Sequence, residues 1–243
     1  MWTRAELIAI PITLIVIALI TFFLYYKLKN KSSREQNISL AIIAILMATL
    51  EIIKQGILIF GGSSYDQSHI PFHFSSYYII WFAFAAFSWG RVRRFAITLA
   101  FISCSVFIIG FMVNPGMILQ ESANYIFADY FAFHSFVFHM MIFQFWALII
   151  TFKMLDIKKI DLIWVLITHL LFLLLSLGMA HLMNINFVNF LNAYGFLMQV
   201  QDVIGRSWLT VLQIVTILVG DVIVFFIAKR LHCKKGITKE RRH

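Results

Sequence analysis

The sequence predicts an all-α membrane protein, a polytopic bundle of seven transmembrane helices. Its 243 residues are 61% hydrophobic and only 13% charged, and the mean hydropathy is +0.88. Soluble proteins carry about 25% charged residues. The apolar runs are about 20 residues long, which is the length of a helix that crosses a ~30 Å hydrocarbon core. They do not alternate between polar and apolar residues, and this excludes a membrane β-barrel.

The predicted spans form one domain, residues 1–243, and are separated by short polar segments. The seven spans cover approximately 6–27, 38–60, 70–90, 95–118, 131–153, 161–183 and 207–229. The first run lacks a small-residue cleavage site, so we expect a retained helix rather than a signal peptide. Residues 184–206 mix asparagines with large apolar side chains, which is typical of an interfacial or re-entrant segment. Residues 230–243 form a predicted basic tail.

Basic residues occupy alternate connections between the spans. They lie in 28–37, 91–94, 153–159 and the tail, whereas the other three loops contain a single basic residue, Arg206. The positive-inside rule then predicts an outside N-terminus and a cytoplasmic C-terminus in the cell membrane, most simply a bacterial plasma membrane. Topology accounts for the net charge of +9, so we expect membrane lipids and no nucleic acid as partners.

Polar residues in the outer half of the predicted bundle are the candidate functional site. At 1.5 Å per residue, His73 and His134 lie roughly 5 Å below the outer ends of their helices. Deeper positions, about 9 to 14 Å in by the same rise, belong to Lys54, Gln213, His139 and Glu51. Ionisable groups are costly inside a membrane, so they indicate functional sites by default.

Helical spacing places some of these residues on common faces. Glu51 and Lys54 are three residues apart, as are His73 and Ser76, so each pair shares a face. The Glu51/Lys54 pair has an equally weighted structural interpretation, in which it only holds helix packing. His134 and His139 are five apart, about 140° around the helix, so we do not expect both to face one cavity.

A second pair is predicted deeper in the bundle. His169 and Asp221 each lie about 20 Å from the outer ends of spans six and seven. If those helices are neighbours, the aspartate fixes the tautomer of the imidazole.

Short motifs along the chain carry a family resemblance. Residues Ile70-Pro71-Phe72-His73-Phe74-Ser75-Ser76 resemble the Leu-Pro-Leu-His-Leu-Cys-Ser type motif of the YwaF-like bacterial membrane proteins, which are related to the eukaryotic transmembrane protein 164 family. His134 resembles the family's second histidine, and Asn192-Ala193-Tyr194-Gly195-Phe196-Leu197, with the later Gly205-Arg206-Ser207-Trp208, is similar to a further family stretch.

The resemblance implies seven helices and, for the eukaryotic relatives, acyl transfer to lysophospholipids through a cysteine and a histidine. This chain has Ser75 where the bacterial motif has cysteine. A cysteine mechanism is therefore excluded here. A hydroxyl group or direct general-base catalysis by histidine takes its place, or this member does not transfer acyl groups.

The leading hypothesis is a site for a lipid or amphipathic substrate, without a metal or other cofactor. His73 is the expected general base, a role that contributes ~10²–10⁴-fold. His134 or His139 orients the substrate or stabilises charge, and Asn192 holds a head group. The other predicted substrate-binding residues are Glu51, Lys54, Ser76 and Gln213.

Two hypotheses from other classes stay open. In a transporter or small-molecule receptor, the Glu51/Lys54 and His169/Asp221 pairs line a path. In a haem or metal protein, the ligands come from His73, His139 and His181.

Overall fold

The described part of the chain is helical, as the sequence predicts. A computed structural model describes residues 3–61, 69–70, 72–113, 118–119, 122–193 and 196–240. Within these ranges there are no strands, and eight α-helices follow one another in the chain. They are α1 (Arg4–Leu28), α2 (Ser33–Phe60), α3 (Tyr78–Phe87), α4 (Gly90–Val113), α5 (Tyr130–Thr151), α6 (Lys159–Met183), α7 (Phe196–Ile204) and α8 (Arg206–Glu240).

Six of the described helices are long and apolar enough to cross a membrane: α1, α2, α4, α5, α6 and the Arg206–Leu231 part of α8. The protein is therefore a multi-pass membrane protein. The count of seven spans and the sides on which the termini lie stay predictions.

The third predicted span is shorter than the expected 70–90. A 3₁₀ turn covers Phe74–Tyr77, and α3 follows for only ten residues. Ser88, with extended backbone, ends α3, and α4 begins at Gly90, whose φ is +58°. Glycine accepts this left-handed conformation without the steric penalty that other residues meet.

The tight connection between α3 and α4 corrects the position of one basic cluster. We predicted a loop at 91–94 and a helix from 95, but Arg91, Arg93 and Arg94 lie in the first turn of α4. Arg94 Nη2 donates to Asp161 Oδ1 at 2.9 Å, and Arg93 Nη2 donates to Asn37 Oδ1 at 2.8 Å. These arginines therefore tie the start of α4 to α6 and α2.

The 184–206 segment and the tail also have more structure than the pattern predicts. Asn184 caps α6 in a left-handed conformation, and a 3₁₀ turn follows at Phe187–Asn189. Phe187 and Phe190 are buried against the rest of the protein, and the interfacial or re-entrant position of this segment stays a prediction. The last helix continues to Glu240 instead of ending at 229.

Helix α4 lies at the centre of the bundle and contacts α3, α5, α6 and α8. Helix α5 packs against α1, α2 and α4, and α6 packs against α8. The ring of Phe82 on α3 stacks on that of Phe145 on α5, with centroids 3.6 Å apart. Gly220 brings α8 close to α4, because a Cβ added there would lie 3.3 Å from Val106 Cγ2.

Candidate functional site

The Glu51 carboxylate is the centre of a buried polar cluster between α2 and α5. Lys54 Nζ lies 2.7 Å from Glu51 Oε1, in agreement with the face that their spacing predicts. Gln55 Nε2 donates to the same oxygen at 2.8 Å and to the His69 carbonyl at 3.0 Å. The Glu51 and Lys54 side chains are only 12% and 10% exposed, so water offsets little of their charge.

His134 on α5 joins this cluster from the opposite side. Its Nε2 lies 3.2 Å from Glu51 Oε2, which is within ion-pair distance. The two groups are not aligned as in a hydrogen bond. The Tyr130 hydroxyl donates to the Leu50 carbonyl at 3.1 Å, and Asp129 caps α5 by accepting from the Ala132 N–H at 2.8 Å. The start of α5 is therefore fixed against α2 in the register that brings His134 to Glu51.

His139 faces a different neighbour from His134. Its Nδ1 donates to the Ser135 carbonyl at 2.7 Å, and its ring lies parallel to Phe107 of α4 with centroids 5.5 Å apart. The histidine is buried between α4 and α5.

His73 precedes the 3₁₀ turn and packs towards the segment after α6. Its ring meets Phe187 edge-on at 5.3 Å, and its carbonyl accepts from the Ser76 N–H at 3.0 Å. Both His73 and Ser76 are half-buried. The Ser176 hydroxyl donates to the Phe72 carbonyl at 2.9 Å, so α6 holds this segment in place.

The other two predicted binding residues lie on different elements from the Glu51 cluster. Asn192 is exposed, and its N–H donates to Asn186 Oδ1 at 2.9 Å. Gln213 belongs to α8, which packs against α4, α6 and α7. Its Oε1 is buried and has no hydrogen-bond partner in the part of the chain that is described.

A second buried cluster joins α4, α6 and α8. His169 Nδ1 lies 2.6 Å from Asp221 Oδ2, so the structure brings this predicted pair together. His169 Nε2 lies 2.7 Å from Ser103 Oγ, a residue that the sequence analysis did not select. All three side chains are at most 2% exposed. The depth of Ser103 in α4, which matches that of His169 in α6, is the signal that would have suggested this residue. No pattern in the sequence shows that α4 adjoins α6.

A small cavity adjoins this second cluster. Its volume is about 10 Å³, roughly the room that one water molecule needs. The lining is aromatic except for Ser103 and His169, and consists of Phe74, Tyr77, Tyr78, Trp81 and Phe172. The Tyr78 hydroxyl donates to the Ser103 carbonyl at 2.8 Å, which links α3 to the same cluster.

The amino-acid sequence matches the model of a known family. The model of the TMEM164 family matches residues 1–227, nearly the whole chain. The chain belongs to the TMEM164 family. The search of curated proteins and the search of solved structures find no match. The narrower YwaF-like grouping stays a prediction.

In this TMEM164-family protein, the residues of the family-like motif are divided between two neighbourhoods. Phe74 contacts the ring of His169 edge-on at 5.7 Å and lines the small cavity. His134 belongs to the Glu51 cluster. Among the described residues, no group of three histidine, cysteine or acidic side chains is arranged to hold a metal ion.

Proposed function

We propose that this TMEM164-family protein transfers acyl groups between membrane lipids, with Glu51 and His134 at its reactive centre. The observation that carries the proposal is the short distance, 3.2 Å, between the His134 imidazole and the buried Glu51 carboxylate. Such an arrangement supports a general base, because a carboxylate stabilises the imidazolium that forms when the ring accepts a proton.

The carboxylate also favours one tautomer of His134. Glu51 stands on the Nε2 side of the ring, so the neutral form with Nε2–H is the better partner. Nδ1 then accepts the proton of a lysolipid hydroxyl as its oxygen bonds to the acyl carbonyl carbon of a donor phospholipid. The bond between that carbon and the donor's alkoxy oxygen breaks, and the leaving lysophospholipid takes the proton from Nδ1. Lys54, 2.7 Å from Glu51, offsets the carboxylate charge before the imidazolium forms. This assignment moves the role of base from His73, the sequence-based choice, to His134.

The remaining predicted residues take supporting roles in this proposal. In this proposal His73, which is half-buried, would contact the phosphate head group. His139, whose ring packs against Phe107, would hold α5 against α4. Ser76 lies one turn from His73, whereas Asn192 and Gln213 would contact more distant parts of a long lipid. A lipid substrate fits because the cluster belongs to helices α2 and α5, which are candidate membrane spans. The cell membrane is the proposed location.

An acyl-exchange assay tests the proposal. The purified protein is placed in liposomes with a labelled acyl phospholipid and an unlabelled lysophospholipid, and labelled transfer product is measured. We expect His134→Gln to lower the rate ~10²–10⁴-fold, the usual contribution of a general base. His181→Gln is the matched control, because His181 is exposed at the end of α6.

If His134→Gln transfers acyl groups at the wild-type rate, His134 is not the general base. Wild-type protein that transfers no acyl group with any of several phospholipid donors would refute the proposed function itself.

Glu51→Gln is expected to lower the maximal rate more than it changes the apparent affinity for lysolipid. Loss of the carboxylate affects the charge that develops in the transition state more than it affects the bound substrate.

A transporter is the second candidate, because two buried pairs of ionisable residues lie within the candidate spans. Glu51 pairs with Lys54, and His169 contacts Asp221. Ionisable residues in such positions mark proton and substrate pathways in transporters. Uptake of a labelled substrate into liposomes that depends on a pH gradient, together with absence of acyl exchange, would favour this candidate.

A further inference from the structure

The hydrogen bonds around His169 have the connectivity of a serine nucleophile with its base. The ring contacts Ser103 Oγ through Nε2 at 2.7 Å and Asp221 Oδ2 through Nδ1 at 2.6 Å. In Ser–His–Asp triads the base likewise uses Nε2 for the serine and Nδ1 for the aspartate. From this arrangement we infer that Ser103 is the nucleophile of a second reactive centre, which accepts an acyl group from an uncharged ester.

The position of one hydroxyl hydrogen controls whether Ser103 is activated. Ser103 Oγ lies 2.8 Å from the Leu99 carbonyl and 2.7 Å from His169 Nε2, so both acceptors are within reach. When the hydrogen points to Leu99, Ser103 makes the backbone contact that is common for serines in helices. Rotation of the same hydroxyl towards Nε2 produces the hydrogen bond through which a base removes the proton.

Asp221 determines which nitrogen of His169 accepts that proton. With Nδ1–H donating to Asp221 Oδ2, the lone pair of Nε2 faces Ser103 Oγ. Ser105, two residues away, makes the same backbone contact, to the Phe101 carbonyl at 2.8 Å, but its other partner is Trp146 Nε1. A serine in this part of α4 therefore packs normally without a histidine, and the contact with His169 sets Ser103 apart.

The surroundings of Ser103 select the class of substrate. Five aromatic residues line the cavity beside it, and His169 is the only ionisable base among the lining residues described. An apolar acyl chain with an ester group fits such walls better than a charged molecule. The cavity holds about 10 Å³, so an ester reaches Ser103 only when aromatic rings move. Tyr77 and Trp81 are half-buried, and they stand on the exposed side of this lining.

The proposed step keeps atoms and charges in balance. Ser103 Oγ forms a bond to the ester carbonyl carbon, and its proton moves to His169 Nε2. The bond between that carbon and the alkoxy oxygen then breaks, and the leaving alcohol takes the proton from Nε2. The product is an acyl ester of Ser103. Water or a second alcohol, activated by the same nitrogen, releases the acyl group and restores the hydroxyl.

A fluorophosphonate probe tests this centre, because it reacts irreversibly with activated serine hydroxyls. Purified full-length protein in micelles is treated with the probe, and mass spectrometry locates the modified residue. We expect modification of Ser103, none in Ser103→Ala, and a labelling rate that falls ~10²–10⁴-fold in His169→Gln. Ser105→Ala is the matched control and should label at the wild-type rate.

Unfolding temperatures of the variants show whether each has folded. If Ser103→Ala fails to fold, the site mapped on the wild-type protein and the rate of His169→Gln decide the question. An unmodified wild-type protein, a label on another serine such as Ser75 or Ser76, or equal loss in Ser105→Ala would overturn the inference. This centre is separate from the Glu51 cluster, so the two proposals fail independently. The site and rate of probe labelling test Ser103, and the rate of acyl exchange tests His134.

Discussion

Removing one member of the Glu51–Lys54 pair should destabilise the protein far more than removing both. Glu51→Gln leaves the Lys54 ammonium, which is only 10% exposed, without the carboxylate 2.7 Å away. An uncompensated buried charge costs about 3–5 kcal/mol, whereas replacing a whole buried pair by groups of similar volume is often neutral. We therefore expect Glu51→Gln to cost about 3–5 kcal/mol, and Glu51→Gln with Lys54→Met to recover most of that loss.

The two single variants should also differ from each other. In Lys54→Met the carboxylate keeps Gln55 at 2.8 Å and His134 at 3.2 Å. These two contacts still stabilise the charge of Glu51, so Lys54→Met should cost less than Glu51→Gln. The free energy of unfolding is measured by helical circular dichroism in mixed micelles as a denaturing detergent is increased.

A control cycle is available where the same helix begins, because Lys31 lies just before α2 and Glu35 lies in its first turn. Lys31 and Glu35 are 3.8 Å apart with side chains 56% and 45% exposed. Water screens such a pair, so we expect no resolvable coupling. If Glu51→Gln costs no more than Glu35→Gln, water screens the Glu51 cluster and its carboxylate is not an unscreened buried charge.

Two further predictions concern helix packing. Gly220→Leu should lower the free energy of unfolding by about 1–3 kcal/mol, because the new side chain meets Val106 on α4. Gly178→Leu is the control, since no atom lies within 4 Å of an added Cβ there. It should leave the unfolding temperature unchanged or raise it. Arg94→Lys should cost about 1.5–3 kcal/mol, because lysine replaces only one of the two hydrogen bonds that the guanidinium makes with Asp161. Equal unfolding temperatures for the wild type and this variant would contradict a two-bond contact.

Local periodicity predicted the contacts that lie within one helix. The spacing of Glu51 and Lys54 was sufficient to place them side by side, because a helix fixes the geometry of residues three apart. Depth arithmetic also brought His169 and Asp221 to the same level, and the structure joins them at 2.6 Å. Contacts between helices depend on which helices are neighbours. Sequence periodicity carries little of that information, which is why Ser103 was missed.

The boundaries of α3 were wrong for a different reason. Residues 70–90 are apolar apart from His73 and a few hydroxyl groups. Hydropathy alone does not distinguish a helix from an extended apolar segment. The structure begins helical turns only at Phe74, and the backbone leaves the helix at Ser88. The contact of the Ser176 hydroxyl with the Phe72 carbonyl, made by a distant helix, favours the non-helical start.

The brevity of α3 has a consequence for the bilayer beside it. Its ten α-helical residues and the four of the 3₁₀ turn together rise roughly 23 Å, well below the ~30 Å of hydrocarbon that a full span crosses. Ile80, Phe84 and Phe87 are exposed. If α3 is the third span that the sequence predicts, lipid tails contact these side chains directly. Lipids relieve such a mismatch by thinning locally. Phospholipid head groups would then lie closer to His73. The ester carbonyls of these lipids would reach a depth beside α3 that they do not reach in an undeformed bilayer.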